Sequence, residues 1–215
     1  MSAARPLVVL LHGLARTHTS MAGLGRVLHA HGYDVWARSY PSRRASIAEA
    51  AREVVDALVP IAADRPLLAV THSMGGVLIR HMHDPRLRWQ RIVMLAPPNT
   101  GSRLAKVIAA SAPLRWFYGP AGVELADGAA WPAPPAPFAV IAGTRRLAVS
   151  NPTSWTMGLR FGRHVAHDGT VAAAETQLPG MAAYAEVDAT HTWIMNHPVV
   201  HQQVLAFLAD GRLPA

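Results

Sequence analysis

The stretch Val70-Thr71-His72-Ser73-Met74-Gly75-Gly76 has the residue types and spacing of a nucleophile site. It joins an apolar run, Leu67–Thr71, to a segment, Met74–His83, that reads as a helix. A strand that turns sharply into a helix strains the residue at its apex and lifts that side chain above the carboxyl edge of a sheet. The first N–H groups of the helix point at the same place. Such a turn needs small residues two positions to either side; Gly75 meets the demand and Thr71 meets it imperfectly. A serine hydroxyl so held attacks a carbonyl carbon once a base removes its proton. The plain alternative is that Ser73 only caps the helix. His72 before it and Met74-Gly75-Gly76 after it favour the nucleophile. With 12 histidines in the chain, number alone does not select the base.

The elements that must position these groups read as an alternation. Short continuous apolar runs mark buried parallel strands, and longer amphipathic stretches mark helices. Strands are expected at Leu7–Leu11, Tyr33–Ser39, Leu67–Thr71, Arg91–Ala96, Phe138–Ala142 and Ala183–Val187. Helices are expected at Met21–His31, Ser46–Ala63, Met74–His83, Ser102–Ala112 and Val199–Ala209. Ser46 with Glu49 three residues on has the pattern of a capping box. The alternation predicts a single α/β domain over 1–215, a mostly parallel sheet of about six strands with helices on both faces. Gly119–Pro137, rich in Pro, Ala and Gly, reads as a surface loop. Thr144–His167 reads as a second long connection, and loops of such length are commonly functional.

Thr71-His72-Ser73-Met74-Gly75-Gly76 resembles the nucleophile elbow of bacterial lipases and esterases of the α/β-hydrolase superfamily. His12-Gly13-Leu14 after the first strand resembles their oxyanion loop. The first strand resembles the superfamily's third, as in minimal lipases. The resemblance implies the α/β-hydrolase fold, and an oxyanion hole made by the backbone N–H groups of Leu14 and Met74. His12 is expected to brace the loop by hydrogen bonding. The superfamily's triad runs Ser, then acid, then His. His191, after the last strand and before the closing helix, stands where the superfamily's base stands. His197 and His201 fall at or inside the helix. Asp168, in His167-Asp168-Gly169-Thr170-Val171, resembles the superfamily's Asp-Gly-x-Val block and is the favoured acid. Asp188, three residues before His191, is the competitor. Pro97–Ser102 resembles a block seen in lipase-like relatives, read first as a turn and helix cap. A full cap domain does not fit. Trp155, Met157, Leu159 and Phe161 alternate in the second long connection, and either wall an acyl pocket or pack on the core.

The 51% hydrophobic content suits one sizeable core in 215 residues. A net charge of +7 raises nucleic acid as a partner, but the arginines are scattered and no binding signature appears, so none is expected. The absence of cysteine excludes disulfides, thiolate metal sites and cysteine catalysis. His81 and His83, two apart on a helix, do not share a face, and no metal or cofactor is expected. No signal peptide or membrane span is read, so a cytoplasmic location is expected. The expected reaction is hydrolysis of a small-molecule ester through an acyl-serine. A thioesterase, amidase or acyltransferase on the same triad, and a non-catalytic binding protein of the same fold, are the alternatives.

Overall fold

In the computed structural model, which describes residues 5–146 and 165–214, six strands form one fully parallel sheet. They are β1 (Leu7–Leu11), β2 (Asp34–Ala37), β3 (Leu67–His72), β4 (Trp89–Leu95), β5 (Phe138–Gly143) and β6 (Ala183–Val187), in the order β2-β1-β3-β4-β5-β6. The four central strands are apolar because both their faces are covered. Leu7, Val9 and Leu11 turn to one side of the sheet and Val8 and Leu10 to the other.

On the first side lie α2 (Ile47–Ala62), α3 (Met74–Ile79), α4 (Arg103–Ala110) and α5 (Ala112–Glu124). On the second lie α1 (Ala22–Ala30) and α7 (Pro198–Asp210), which bury Leu24, Leu28, Val204 and Phe207. The short α6 (Ala173–Thr176) precedes β6. The fold class is the one the alternation predicts.

Several boundaries differ for local reasons. The capping box forms as expected: the Glu49 N–H donates to Ser46 Oγ at 3.2 Å, and the Ser46 N–H to Glu49 Oε2 at 2.9 Å. β2 is shorter than Tyr33–Ser39 because it is an edge strand, paired on one side only and half-buried. The helix expected over Met74–His83 ends at Ile79, where the backbone tightens to i→i−3 bonds. Arg80 at that point donates to the carbonyls of Asn99, Trp131 and Pro132.

The largest correction concerns residues 112–124. The Gly119–Pro120 pair, read as the start of a loop, is a joint between two helical segments of α5. Gly119 has φ +71°, and a Cβ there would collide with the Arg43 carbonyl. Glycine alone fits, and Pro120 restarts the helix as a first-turn proline does. The irregular stretch therefore begins after Glu124.

In this strand order the chain steps from β1 to β2 in one direction and from β3 onward in the other. The crevice between the carboxyl ends of β1 and β3 is thus the switch point of the sheet, where open α/β folds bind ligands. Gly13–Arg16 and Ser73 occupy it.

Candidate active site

Ser73 follows the last residue of β3 and precedes the first of α3, with φ +52° and ψ −122°. A residue with a Cβ adopts that backbone only where its surroundings over-determine it. Here they do. The Ser73 N–H donates to the Leu95 carbonyl at 2.9 Å, and the Gly76 N–H to the Ser73 carbonyl at 2.8 Å. α3 is pressed onto the end of β1 so closely that a Cβ at Gly75 would lie 2.6 Å from the Leu11 carbonyl oxygen. The Ser73 side chain makes no cap bond to α3. Its Oγ lies 2.9 Å from His191 Nε2.

His191 comes from the loop between β6 and α7. Its Nδ1 lies 2.7 Å from Asp168 Oδ2. The other carboxylate oxygen, Oδ1, accepts the N–H groups of Thr170 at 2.9 Å and Val171 at 2.8 Å, a turn that Gly169 permits with φ +92°. The two loops are tied through their backbones as well, the His191 N–H donating to the Asp168 carbonyl at 3.0 Å. Asp168 is 1% exposed. The Asp188 side chain is 72% exposed and paired with Arg145 at 2.7 Å, so its charge is directed away from His191. His201 is engaged elsewhere, through the Met195 carbonyl, and His197 stands at the N-terminal boundary of α7 without a side-chain cap bond. The structure thus brings Ser73, His191 and Asp168 into one hydrogen-bonded chain.

Two further histidines hold this arrangement. His72 donates from Nε2 to the His191 carbonyl at 3.0 Å, and burial, aided by the nearby His191 and Arg16, holds its imidazole well below the usual histidine range. It is a neutral clamp on the His191 loop. Its position before Ser73 was visible in the sequence; its contact 119 residues away was not. His12 donates from Nδ1 to the Gly13 carbonyl at 2.8 Å and accepts the Tyr40 N–H at Nε2. The Tyr40 ring stacks on it at 4.0 Å, and the Tyr40 hydroxyl donates to the His12 carbonyl. His12 therefore braces the loop. Gly13 runs directly past the site: a Cβ there would lie 3.0 Å from His72 Nδ1 and 3.2 Å from Ser73 Cβ. Leu14 is the next residue, and Met74 opens α3, so the Met74 N–H has no partner within its helix.

Burial pulls the His12 imidazole down from its ordinary 6.5 to about 4, the bond to Gly13 only partly opposing it. Between those values the unfolded chain takes up a proton at His12 and the folded chain does not. His12 therefore costs no stability above pH 6.5. As pH falls from there to about 4, the fold loses about 3 kcal/mol on this account. Urea unfolding over that range should show the loss, with His72 adding in the same direction. His12→Asn keeps a donor near Nδ1 and should flatten the slope by about one proton; an unchanged slope would refute the assignment.

The cleft over Ser73 has a volume of about 310 Å³. Its apolar walls include Leu14, Leu104, Ile108, Tyr118, Leu125 and Val171. Most of these belong to α4, α5 and their flanks, elements that sequence reading did not connect with the site. Pro98 and Ser102 also line it, so the Pro97–Ser102 block both turns the chain and borders the cleft. Within that block Asn99 is buried, its amide donating to the Thr176 carbonyl at 2.8 Å. Trp155, Met157, Leu159 and Phe161 lie outside the described residues. Among the described residues, no cluster of three or more His, Asp or Glu side chains is arranged to hold a metal, and no helix is long and apolar enough to cross a membrane.

No family profile and no curated protein sequence matches the chain. Solved structures do. The chain is similar to lipase BlEst2 of Bacillus licheniformis in its mature form, with 18% identity and a TM-score of 0.77, over 96% of this chain and 91% of that one. In its propeptide form the same lipase is covered over 51% of its length. The metagenomic carboxyl esterase MGS0156 is 19% identical with a TM-score of 0.69, over 90% of this chain and 66% of that one. A thermophilic esterase from Thermogutta terrifontis is 15% identical with a TM-score of 0.58, over 96% of this chain and 90% of that one. Identities this low speak to architecture. Together with the parallel sheet and the strained Ser73 at its switch point, they establish that the chain has the α/β-hydrolase fold.

Proposed function

We propose that this protein hydrolyses carboxylic esters of small molecules through an acyl intermediate on Ser73. The observation that carries the reading is the Ser73 hydroxyl, held at a strained backbone position and 2.9 Å from an imidazole whose other nitrogen meets a buried carboxylate. His191 Nε2 takes the hydroxyl proton as Oγ bonds to the carbonyl carbon. The oxyanion that forms is met by the N–H groups of Leu14 and Met74, each contributing about 3 kcal/mol to the transition state. As the C–O bond to the leaving group breaks, His191 returns the proton to the departing alcohol. A water, deprotonated in turn by His191, releases the acid and restores Ser73. The apolar walls of the cleft suit the acyl chain. Similarity to esterases and a lipase is in keeping with this reading.

A fluorophosphonate probe tests it directly. The expected result is one phosphonyl group per chain, on the peptide that carries Ser73, with parallel loss of activity on an activated ester. Labelling elsewhere, or none under conditions that keep the fold, would overturn the proposal.

A further inference from the structure

Arg16 lines the cleft, two residues beyond the proposed oxyanion donor Leu14. Ala15, at φ +56°, turns the chain there, and the Arg16 N–H closes the turn onto the Gly13 carbonyl at 3.3 Å. Arg16 is half-buried at the cleft, its Nη1 donating to the carbonyl of Thr192, the residue after His191, at 3.1 Å. One carbonyl uses one of its five N–H donors. Among the described residues no carboxylate lies within ion-pair distance of it, and residues 1–4, 147–164 and 215 contain no Asp or Glu. No carboxylate of the described residues lines the cleft either; Asp168 is buried beneath His191. The Arg16 charge reaches the rings of His12 and His72, adding to the burial that keeps both neutral. Among the described residues the cleft thus holds a cation with donors to spare and no counterion, in a chain of net charge +7.

The position of Arg16 says which part of a substrate it meets. His191 must hand its proton to the leaving oxygen, so the leaving group lies on the His191 side. Arg16 is bonded to the neighbour of His191, whereas the apolar walls come from α4, α5 and Leu14. We infer that Arg16 is a specificity-determining residue, and that the preferred substrates are esters whose leaving alcohol carries an anionic group, a phosphate or a carboxylate, close to the scissile bond. The orientation of the substrate rests on the Ser73–His191 reading above. The fork of the guanidinium suits both oxyanions.

The test compares three esters of one acyl chain: neutral monooctanoylglycerol, octanoylglycerol phosphate and octanoyl glycolate. Binding of the intact esters to Ser73→Ala protein is measured by calorimetry, and kcat/KM on wild type. The anionic esters should be favoured about ten- to hundredfold in both, the size of a hydrogen bond to a charged group. Arg16→Gln, made in both backgrounds, should bring the anionic-to-neutral ratio close to one, and Arg16→Lys should keep part of it. A ratio cancels any common damage from losing the Thr192 bond. Preference for the phosphate alone assigns a phosphorylated alcohol; equal preference for both assigns an anion of either kind. A ratio near one in wild type, or one that survives Arg16→Gln, overturns the inference. Cleavage of all three esters without preference refutes this inference alone, whereas anion-selective binding with no cleavage refutes the hydrolytic reading and leaves the anion site standing.

Discussion

Ser73→Ala is expected to leave the fold intact and to lower kcat on an activated ester by about a millionfold, the loss that follows removal of the nucleophile from a triad acting as a unit. The fold should survive because the side chain does no capping: its Oγ is committed to His191, and the bonds that hold the turn are backbone bonds to Leu95 and Gly76. Alanine also relieves nothing, since the positive φ penalises any residue with a Cβ to a similar degree. Thermal unfolding should therefore change little while turnover vanishes. What remains should be a residual acceleration from the Leu14 and Met74 donors and from substrate binding, about a thousandfold or more over water. Turnover near wild type by a well-folded Ser73→Ala protein would remove Ser73 from the mechanism.

The sheet was readable because central parallel strands, covered on both faces, have to be apolar throughout. Leu7–Leu11 falls where its apolar run places it, Leu67–His72 extends its run by one residue, and the half-buried edge strand Ala183–Val187 also keeps its expected bounds. The turn at Ser73 was readable because only small residues tolerate the approach of α3 to β1, and Gly75 marks that approach in the chain itself. α5 was not readable, since Gly119-Pro120 punctuates it like a loop and its exposed Trp116 and Phe117 break any apolar stripe. The cleft walls were missed for a related reason. Leu104, Ile108 and Leu125 look like ordinary core residues of surface helices, and only the packing of α4 and α5 over the switch point turns them toward Ser73. Asp168 was favoured by its Asp-Gly turn and its place before His191, but Asp188 stayed a competitor because it is only three residues from His191, while the fold brings Asp168 to it from 23 residues away.

That contrast sets the second large effect, Asp168→Asn against Asp188→Asn. Asp168 Oδ1 accepts two backbone N–H groups, those of Thr170 and Val171. An asparagine here must keep its oxygen on those donors, because an amide nitrogen facing two N–H groups would leave three buried donors without acceptors. Its NH2 is then forced onto His191 Nδ1. The imidazole answers by carrying its proton on Nε2, the nitrogen that faces Ser73, and can no longer accept the hydroxyl proton. kcat should fall about ten-thousandfold with KM little changed, and the fold should persist because the turn is preserved. Asp188 sits on the surface with Arg145, an exposed ion pair that solvent screens. Asp188→Asn should therefore alter kcat by no more than a few-fold. The proton itself can be observed: in the Asp168→Asn protein, nitrogen NMR of His191 should report the Nε2–H tautomer, and in the Asp188→Asn protein the Nδ1–H form. If Asp188→Asn lost activity by orders of magnitude while Asp168→Asn kept it, the carboxylate supporting His191 would be Asp188, and the geometry described for Asp168 would have no part in the chemistry.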